Sequence, residues 1–292
     1  MEKIKNSDNK IIQILLNLIE KNEKFNLPDR SAMITYYLLL SIGPFLVLTF
    51  SLLSYFLAGN IDSVIGILEK VYEDARIIAE PILKYLDSTN DSTFAIVGGL
   101  ATLFSSSKAS QRLIETFHLI FGVEEREGIV AKGIFIGYSM LFTLALLISL
   151  VIFFVFFISG DPIVMFVDFL FGFKLDSLFL WNFVKNFAPV IYLLIFLTII
   201  YKLLPNFRKR KKIKIKEAFL GAVFVTLGWI IGSSLFSFYI KNLNQNNAMY
   251  GALGSIMVLM LWFYLLVFTL LLGGALITSY IEVRERIKWE DV

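Results

Sequence analysis

Four long stretches without a charged side chain constrain this sequence more than any other feature. They are residues 31–61, 133–160, 218–240 and 242–281. Bilayer hydrocarbon is about 30 Å thick, so a membrane-spanning helix needs roughly 20 mostly apolar residues. Each of the four stretches reaches that length. The pattern predicts an all-α, polytopic membrane protein.

Composition supports this class and excludes several others. Of the 292 residues, 57% are hydrophobic and 17% are charged, whereas soluble domains are roughly half apolar and about a quarter charged. The 29 Phe, 12 Tyr and 4 Trp residues exclude a disordered chain. With no Cys and a single His, His118, neither thiolate chemistry nor a multi-histidine metal site is available. We therefore predict no enzyme, no cofactor and no metal.

Two further stretches complete the predicted membrane domain. Residues 183–204 carry Lys185 and Lys202 near their ends, where long basic side chains can snorkel. Residues 93–113 are harder to assign, because Lys108 and Arg112 lie on the same predicted helix. If this segment crosses and both termini are cytoplasmic, 21 of the 27 basic residues lie inside, as the positive-inside rule requires. The prediction is about six spans, near residues 31–57, 93–113, 133–158, 183–204, 218–240 and 251–281.

The segments outside the spans receive separate predictions. Residues 1–30 form a cytoplasmic, amphipathic N-terminal segment with apolar residues from Ile11 to Ile19. Its helix either lies along the inner membrane face or packs against cytoplasmic loops. Residues 59–91 form an external amphipathic helical cap, and residues 282–292 form a cytoplasmic tail.

Charged side chains at membrane depth are costly and therefore mark functional candidates. Lys108, Arg112 and Glu115 share one helix face, and Ser105 and Gln111 adjoin it. One interpretation is a basic, hydroxyl-lined cleft, open to the cytoplasmic leaflet, that binds an anionic headgroup. In the other, Lys108 snorkels and Arg112 pairs with Glu115 just beyond the membrane.

The first span adds neutral polar groups. Pro44 should kink this helix, and Ser41 or a neighbouring helix could satisfy the carbonyls that the kink releases. Tyr36 and Tyr37 either line a polar path or serve as ordinary interfacial aromatic residues.

Small residues in the spans allow helices to approach closely. Packing within the bundle is the favoured role, and a ligand site or a dimer face, hence a homo-oligomer, is the alternative. These residues are Gly98, Gly99, Gly228, Gly232, Gly251, Gly273 and Gly274.

The basic run from Arg208 to Lys216 invites a nucleic-acid interpretation. It lies between two predicted spans, where positive-inside charge and anionic lipid already account for it. We therefore predict no nucleic-acid partner.

Several segments, taken in order, give the chain a family resemblance. They are AMITYYLLLSIGP (32–44), SSSKASQRLIETFHLIF (105–121), LPN (204–206), GA (221–222), YGALG (250–254) and LGGA (272–275). The chain resembles the YihY/BrkB family of bacterial inner-membrane proteins, historically misnamed ribonuclease BN. The resemblance implies a six-helix, multi-pass protein of the bacterial cytoplasmic membrane. It also brings associations with serum resistance and with export of a lipid A precursor.

The leading hypothesis for function is a transporter or flippase-like protein for an anionic lipid or envelope precursor, with membrane lipids as partners. Lys108 and Arg112 would hold the anionic head, and Glu115 would orient them. Tyr36, Tyr37 and Ser41 would supply neutral hydrogen bonds. The alternative is a non-transporting scaffold or assembly factor that binds a partner through its external helices. A membrane-bound nuclease is a third hypothesis.

Overall fold

The structure is a computed structural model that describes residues 10–56, 69, 76, 80, 93–123, 128–159, 178–204, 213–243 and 251–290. These residues contain no β-strand, so the predicted all-α fold class is confirmed. They form the helices α1 (Lys10–Lys24), α2 (Leu27–Phe56), α3 (Thr93–Ile120), α4 (Ile129–Ser159), α5 (Leu178–Leu203), α6 (Ile215–Leu243) and α7 (Gly251–Glu290).

Among the described residues, three helices contain segments long and apolar enough to cross a membrane. The segments are Ile129–Ser149 in α4, Ile215–Phe238 in α6 and Ile256–Glu285 in α7. A shorter apolar segment, Phe187–Leu203, lies in α5. The full count of six spans and the side on which the termini lie stay predictions.

The structure bears on two of the segments predicted outside the spans, the C-terminal tail and the external cap. Helix α7 continues to Glu290, so it includes most of the predicted cytoplasmic tail, residues 282–292. The predicted external cap, residues 59–91, lies outside the described residues except for three positions. Of these, Arg76 pairs with Glu69 at 3.0 Å and with Glu80 at 3.9 Å.

The chain divides into two compact units. The first unit comprises Met1–Tyr36, Gln111–Lys132 and Val190–Val292, and the second comprises Tyr37–Ser110 and Gly133–Pro189. The first unit therefore contains α1, the start of α2, the end of α3, about half of α5, and all of α6 and α7.

The core of the first unit is built around Tyr201 of α5. This residue is fully buried, and its hydroxyl donates a 2.6 Å hydrogen bond to the Leu270 carbonyl of α7. Its ring centroid lies 5.7 Å from that of Phe117 in α3. Two glycines of α7 make room for these rings, because a Cβ on Gly273 would meet Tyr201 Oη and one on Gly274 would lie 2.9 Å from Phe117 Cε1. Aromatic side chains thus pack directly against the α7 backbone.

Helices α6 and α7 are joined by polar as well as apolar contacts. The Trp229 indole N–H lies 2.8 Å from the Thr269 hydroxyl and 3.1 Å from the Leu266 carbonyl. Buried Glu217, in the first turn of α6, accepts a 2.9 Å hydrogen bond from the Lys214 backbone N–H and pairs with Arg284 of α7 at 2.6 Å. A carboxylate at this position satisfies an otherwise unpaired N–H group of the helix N-terminus.

Candidate functional site on helix α3

Helix α3 is longer than a bilayer is thick. Its 28 residues extend about 42 Å at 1.5 Å per residue. Gly122, at φ 64°, ends the helix in a left-handed conformation, and the Val123 N–H donates to the His118 carbonyl. This pattern is a Schellman termination. If the hydrocarbon begins near Thr93, Lys108 lies about 22 Å into it, and Arg112 lies about 28 Å along, near its far boundary.

Lys108 has an aromatic neighbour on its own helix. Its Nζ lies 5.6 Å from the ring centroid of Phe104, one turn earlier, and the Phe104 side chain is largely exposed. A cation–π contact of this kind contributes about 0.5–1 kcal/mol at an exposed site. Among the described residues, no carboxylate lies within ion-pairing distance of Lys108. Its charge is thus partly stabilised but not neutralised by the described part of the chain.

Arg112 and Glu115 form the ion pair that their spacing allows. Arg112 Nη1 lies 2.9 Å from Glu115 Oε2, and the two side chains are 43% and 28% exposed. Both predicted interpretations contain this contact, since Glu115 could orient Arg112 for a ligand or simply neutralise it. The charge pattern of the face is a lysine followed, one helical turn nearer the C-terminus, by an ion pair.

Hydroxyl groups follow the inner side of α3. Thr102, Ser106 and Ser110 are buried at four-residue intervals, so they form one row along the helix. Ser105, singled out from the sequence, is half-buried and donates a 2.6 Å hydrogen bond to the Ala101 carbonyl. Because its only proton is used within the helix, Ser105 can offer a ligand only acceptor lone pairs.

The hydroxyl row connects α3 to α4 within the second unit. The Thr143 hydroxyl lies 2.7 Å from Ser110 Oγ and 2.8 Å from the Ser139 carbonyl, and all three residues are buried. A hydroxyl has one proton and two lone pairs, so Thr143 can donate to the carbonyl and accept from Ser110. This link was not predicted from the sequence. The signal was present, because Ser139 and Thr143 are four residues apart in an uncharged and mostly apolar part of α4.

Gln111, which adjoins the charged face of α3, is buried. It is 9% exposed, and its amide nitrogen has no hydrogen-bond partner among the described residues. An unsatisfied buried donor costs about 1–3 kcal/mol. The position is therefore one where an acceptor from a ligand would be stabilising. His118, two turns further on, is also buried.

The predicted polar groups of α2 have different environments. Tyr36 is 53% exposed, whereas Tyr37 is half-buried. Ser41 is buried and donates a 2.6 Å hydrogen bond to the Leu38 carbonyl. The carbonyl that Pro44 would leave unpaired is that of residue 40. Ser41 thus does not donate to the carbonyl of residue 40, as the sequence suggested it could. Helix α2 continues through Pro44.

The glycines differ in how closely they are packed. A Cβ on Gly228 would make an ordinary 3.6 Å contact with Thr269, and one on Gly232 would have no heavy atom within 4 Å. Both line an apolar groove of about 650 Å³ between α6 and α7, together with Trp229, Phe236 and Trp262. The GxxxG pattern led us to expect a helix packed closely against both glycines. At Gly232, the described residues show no such close contact.

Close packing occurs instead at Gly273 and Gly274, and at Gly221, which the sequence analysis did not single out for packing. A Cβ on Gly221 would meet the Ile277 side chain. Gly98 and Gly99 lie in α3 and Gly251 begins α7, but their surroundings lie outside the described side chains.

These features can be set beside known proteins. A family model described as virulence factor BrkB matches residues 18–290. This range runs from α1 to the end of α7 and includes the whole polar face of α3. The chain belongs to the BrkB family.

Relatives extend over nearly the full chain. The ribonuclease-like protein YfkH of Bacillus subtilis is 30% identical over 268 residues, which cover 90% of this chain and 93% of YfkH. A UPF0761 membrane protein of Actinobacillus pleuropneumoniae is 23% identical over 283 residues, covering 94% of this chain and 96% of that protein. One of Idiomarina loihiensis is 35% identical over 101 residues, about a third of each chain. No solved structure matches.

Membership of the BrkB family makes the chain a membrane protein. The word ribonuclease in one relative's name describes that relative. Among the described residues, no group of three or more His, Asp or Glu side chains could hold a metal ion.

Proposed function

We propose that this BrkB-family protein moves an anionic lipid or envelope precursor across the cytoplasmic membrane, using the basic, hydroxyl-rich face of α3 to handle the headgroup. The observation that carries the proposal is Lys108. Its ammonium group lies about 22 Å along α3, without a described carboxylate partner. A charge at such depth is costly unless a counter-charge or water accompanies it.

An anionic headgroup provides the missing counter-charge. A phosphate or carboxylate near Lys108 would form charge-assisted hydrogen bonds, which are about twice as strong as neutral ones. Arg112, one turn nearer the helix end, presents a planar fork suited to phosphate oxygens, while Glu115 fixes its orientation. The headgroup would thus meet Arg112 first and Lys108 second.

Neutral groups on the same helix would assist this transfer. The Gln111 amide offers a buried donor without a described partner, and the Ser105 oxygen offers an acceptor. In our proposal, Tyr36, Tyr37 and Ser41 add hydrogen bonds from α2. Polar groups of this kind lower the cost of carrying a hydrated headgroup through hydrocarbon.

The experiment is lipid movement in proteoliposomes. Fluorescent phosphatidylglycerol and phosphatidylcholine are compared, with chemical quenching of the outer leaflet as the readout. The Lys108→Met variant keeps the apolar stem but removes the charge, and Lys132→Met is the matched control because Lys132 is exposed at the start of α4. One charge-assisted contact is worth about 1.5–3 kcal/mol, so Lys108→Met should slow phosphatidylglycerol movement by about tenfold to a hundredfold.

Two outcomes would contradict the proposal. Movement of both lipids at the rate of protein-free vesicles would reject lipid transport. Equal rates for wild type, Lys108→Met and Lys132→Met would reject the role of α3. The scaffold alternative depends on residues 59–91, almost all of which lie outside the described residues. The described residues give no observation that favours a scaffold function.

A further inference from the structure

Helix α1 is oriented opposite to an amphipathic helix in a soluble protein. Its one buried residue is Lys21, which is 8% exposed. By contrast, Ile11, Leu15 and Ile19 are 67%, 51% and 58% exposed. A surface helix in water normally turns its apolar stripe toward the core and its charged residues outward.

Helical geometry places these residues on distinct faces. At 3.6 residues per turn, Ile11, Leu15 and Ile19 fall within an arc of about 80°. Asn17 and Lys21 lie on the other side of the helix, about 120–160° from the centre of that arc. The apolar arc points away from the protein, whereas Lys21 points toward it.

Helix α1 contacts α7 through Lys21. Lys21 Nζ lies 2.9 Å from Glu282 Oε1, so an ion pair fixes the buried face of α1. Glu282 falls near the end of the apolar segment Ile256–Glu285. The contact therefore holds α1 at the level where this segment leaves the hydrocarbon.

The chain connection sets α1 at the same level. Only Phe25 and Asn26 separate α1 from α2, and Asn26 adopts a left-handed φ of 47° that turns the chain. The Arg30 side chain braces this turn with a 2.9 Å hydrogen bond from Nε to the Phe25 carbonyl. The first predicted span begins at residue 31, so α1 adjoins the membrane boundary through both α2 and α7.

We propose that α1 is an interfacial helix, with Ile11, Leu15 and Ile19 inserted among lipid acyl chains of the leaflet at the Glu282 end of α7. An apolar medium around this face accounts for the outward isoleucines and for the inward lysine. Exposed Lys10 and Lys24 lie at the two ends of the helix, where they suit the headgroups of anionic lipids. The lipid surface proposed for α1 is continuous with the lipid around α7.

Collision accessibility of spin labels tests this inference in the full-length protein. The chain has no Cys, so each introduced cysteine is labelled uniquely. Leu15→Cys and Ile19→Cys are compared with Glu20→Cys, an exposed polar position on a different face of the same helix. The proteins are reconstituted in vesicles of phosphatidylethanolamine and phosphatidylglycerol.

We expect labels at Leu15 and Ile19 to favour apolar oxygen over a water-soluble nickel chelate by a several-fold higher ratio than the label at Glu20. Equal ratios at all three positions would overturn the proposal, because α1 would then lie in water. Protection of the Leu15 label from both reagents would also overturn it, because a second copy or another part of the chain would then cover the face.

Discussion

Replacing Gly273 with alanine should destabilise the first unit, because the α7 backbone leaves no room for a side chain there. The added Cβ would meet Tyr201 Oη and would lie 2.6 Å from Val225 Cγ2. Neither neighbour can retreat easily. Tyr201 is fully buried and held by its 2.6 Å bond to the Leu270 carbonyl, and Val225 is also fully buried.

The expected magnitude follows from three contributions. Overpacking a well-filled core costs about 1–3 kcal/mol. Displacing the Tyr201 hydroxyl would forfeit a hydrogen bond with a net value of about 0.5–1.5 kcal/mol. Alanine recovers about 0.5–1 kcal/mol relative to glycine in a helix interior. The variant should therefore lose about 0.5–4 kcal/mol of unfolding free energy.

Gly232→Ala is the matched control. It makes the same chemical change within the neighbouring helix α6, at a site where no heavy atom lies within 4 Å of the new Cβ. It should be neutral or stabilising by up to about 1 kcal/mol. Unfolding in mixed micelles, titrated with sodium dodecyl sulfate and followed by far-ultraviolet circular dichroism, measures both variants against wild type. Equal stability of Gly273→Ala and Gly232→Ala would refute the packing argument.

Three further predictions concern other parts of the chain. Burial lowers the pKa of Lys21 despite its carboxylate partner. Between that lowered pKa and 10.5 the unfolded state binds more protons than the folded state, so the free energy of unfolding rises with pH. A Lys21→Met variant should lack this rise in unfolding titrations, and an identical pH profile in both proteins would contradict the prediction. A double-mutant cycle of Ser110→Ala and Thr143→Val should give a coupling energy of about 0.6 kcal/mol, which is the average for hydrogen bonds between membrane helices. A coupling energy near zero would show that the 2.7 Å contact does not stabilise the fold. Reporter tags inserted near residues 59 and 124 should appear on opposite sides of the membrane, whereas tags on the same side would mean that α3 does not cross.

Helix positions could be predicted from the sequence to a useful extent. The predicted span near residues 183–204 overlaps α5 (Leu178–Leu203), and the one near residues 218–240 overlaps α6 (Ile215–Leu243). Lipid requires every backbone polar group to be satisfied within its own segment, so apolar length alone predicts a helix. Helix α7 extends beyond the predicted span, because hydropathy marks where apolar residues stop and not where the helix stops.

The candidate site could be predicted only in part. Helical spacing correctly placed Arg112 beside Glu115, because residues three apart are neighbours on one helix. The Ser110–Thr143 contact was not predicted, because it joins residues on two helices and depends on how those helices are rotated. Gly228 and Gly232 differ in their surroundings for a related reason, since glycine permits close approach but does not require it.

By itself, the sequence determined an all-α membrane protein with a charged and hydroxyl-rich third helix, because charge and hydropathy are properties of the residues themselves. Only the tertiary structure decided which face of each helix meets protein. In α1 the sequence left two environments open for the apolar stripe. Lys21 is buried in its contact with Glu282, and the stripe is exposed, since a helix can bury only the face that finds a partner.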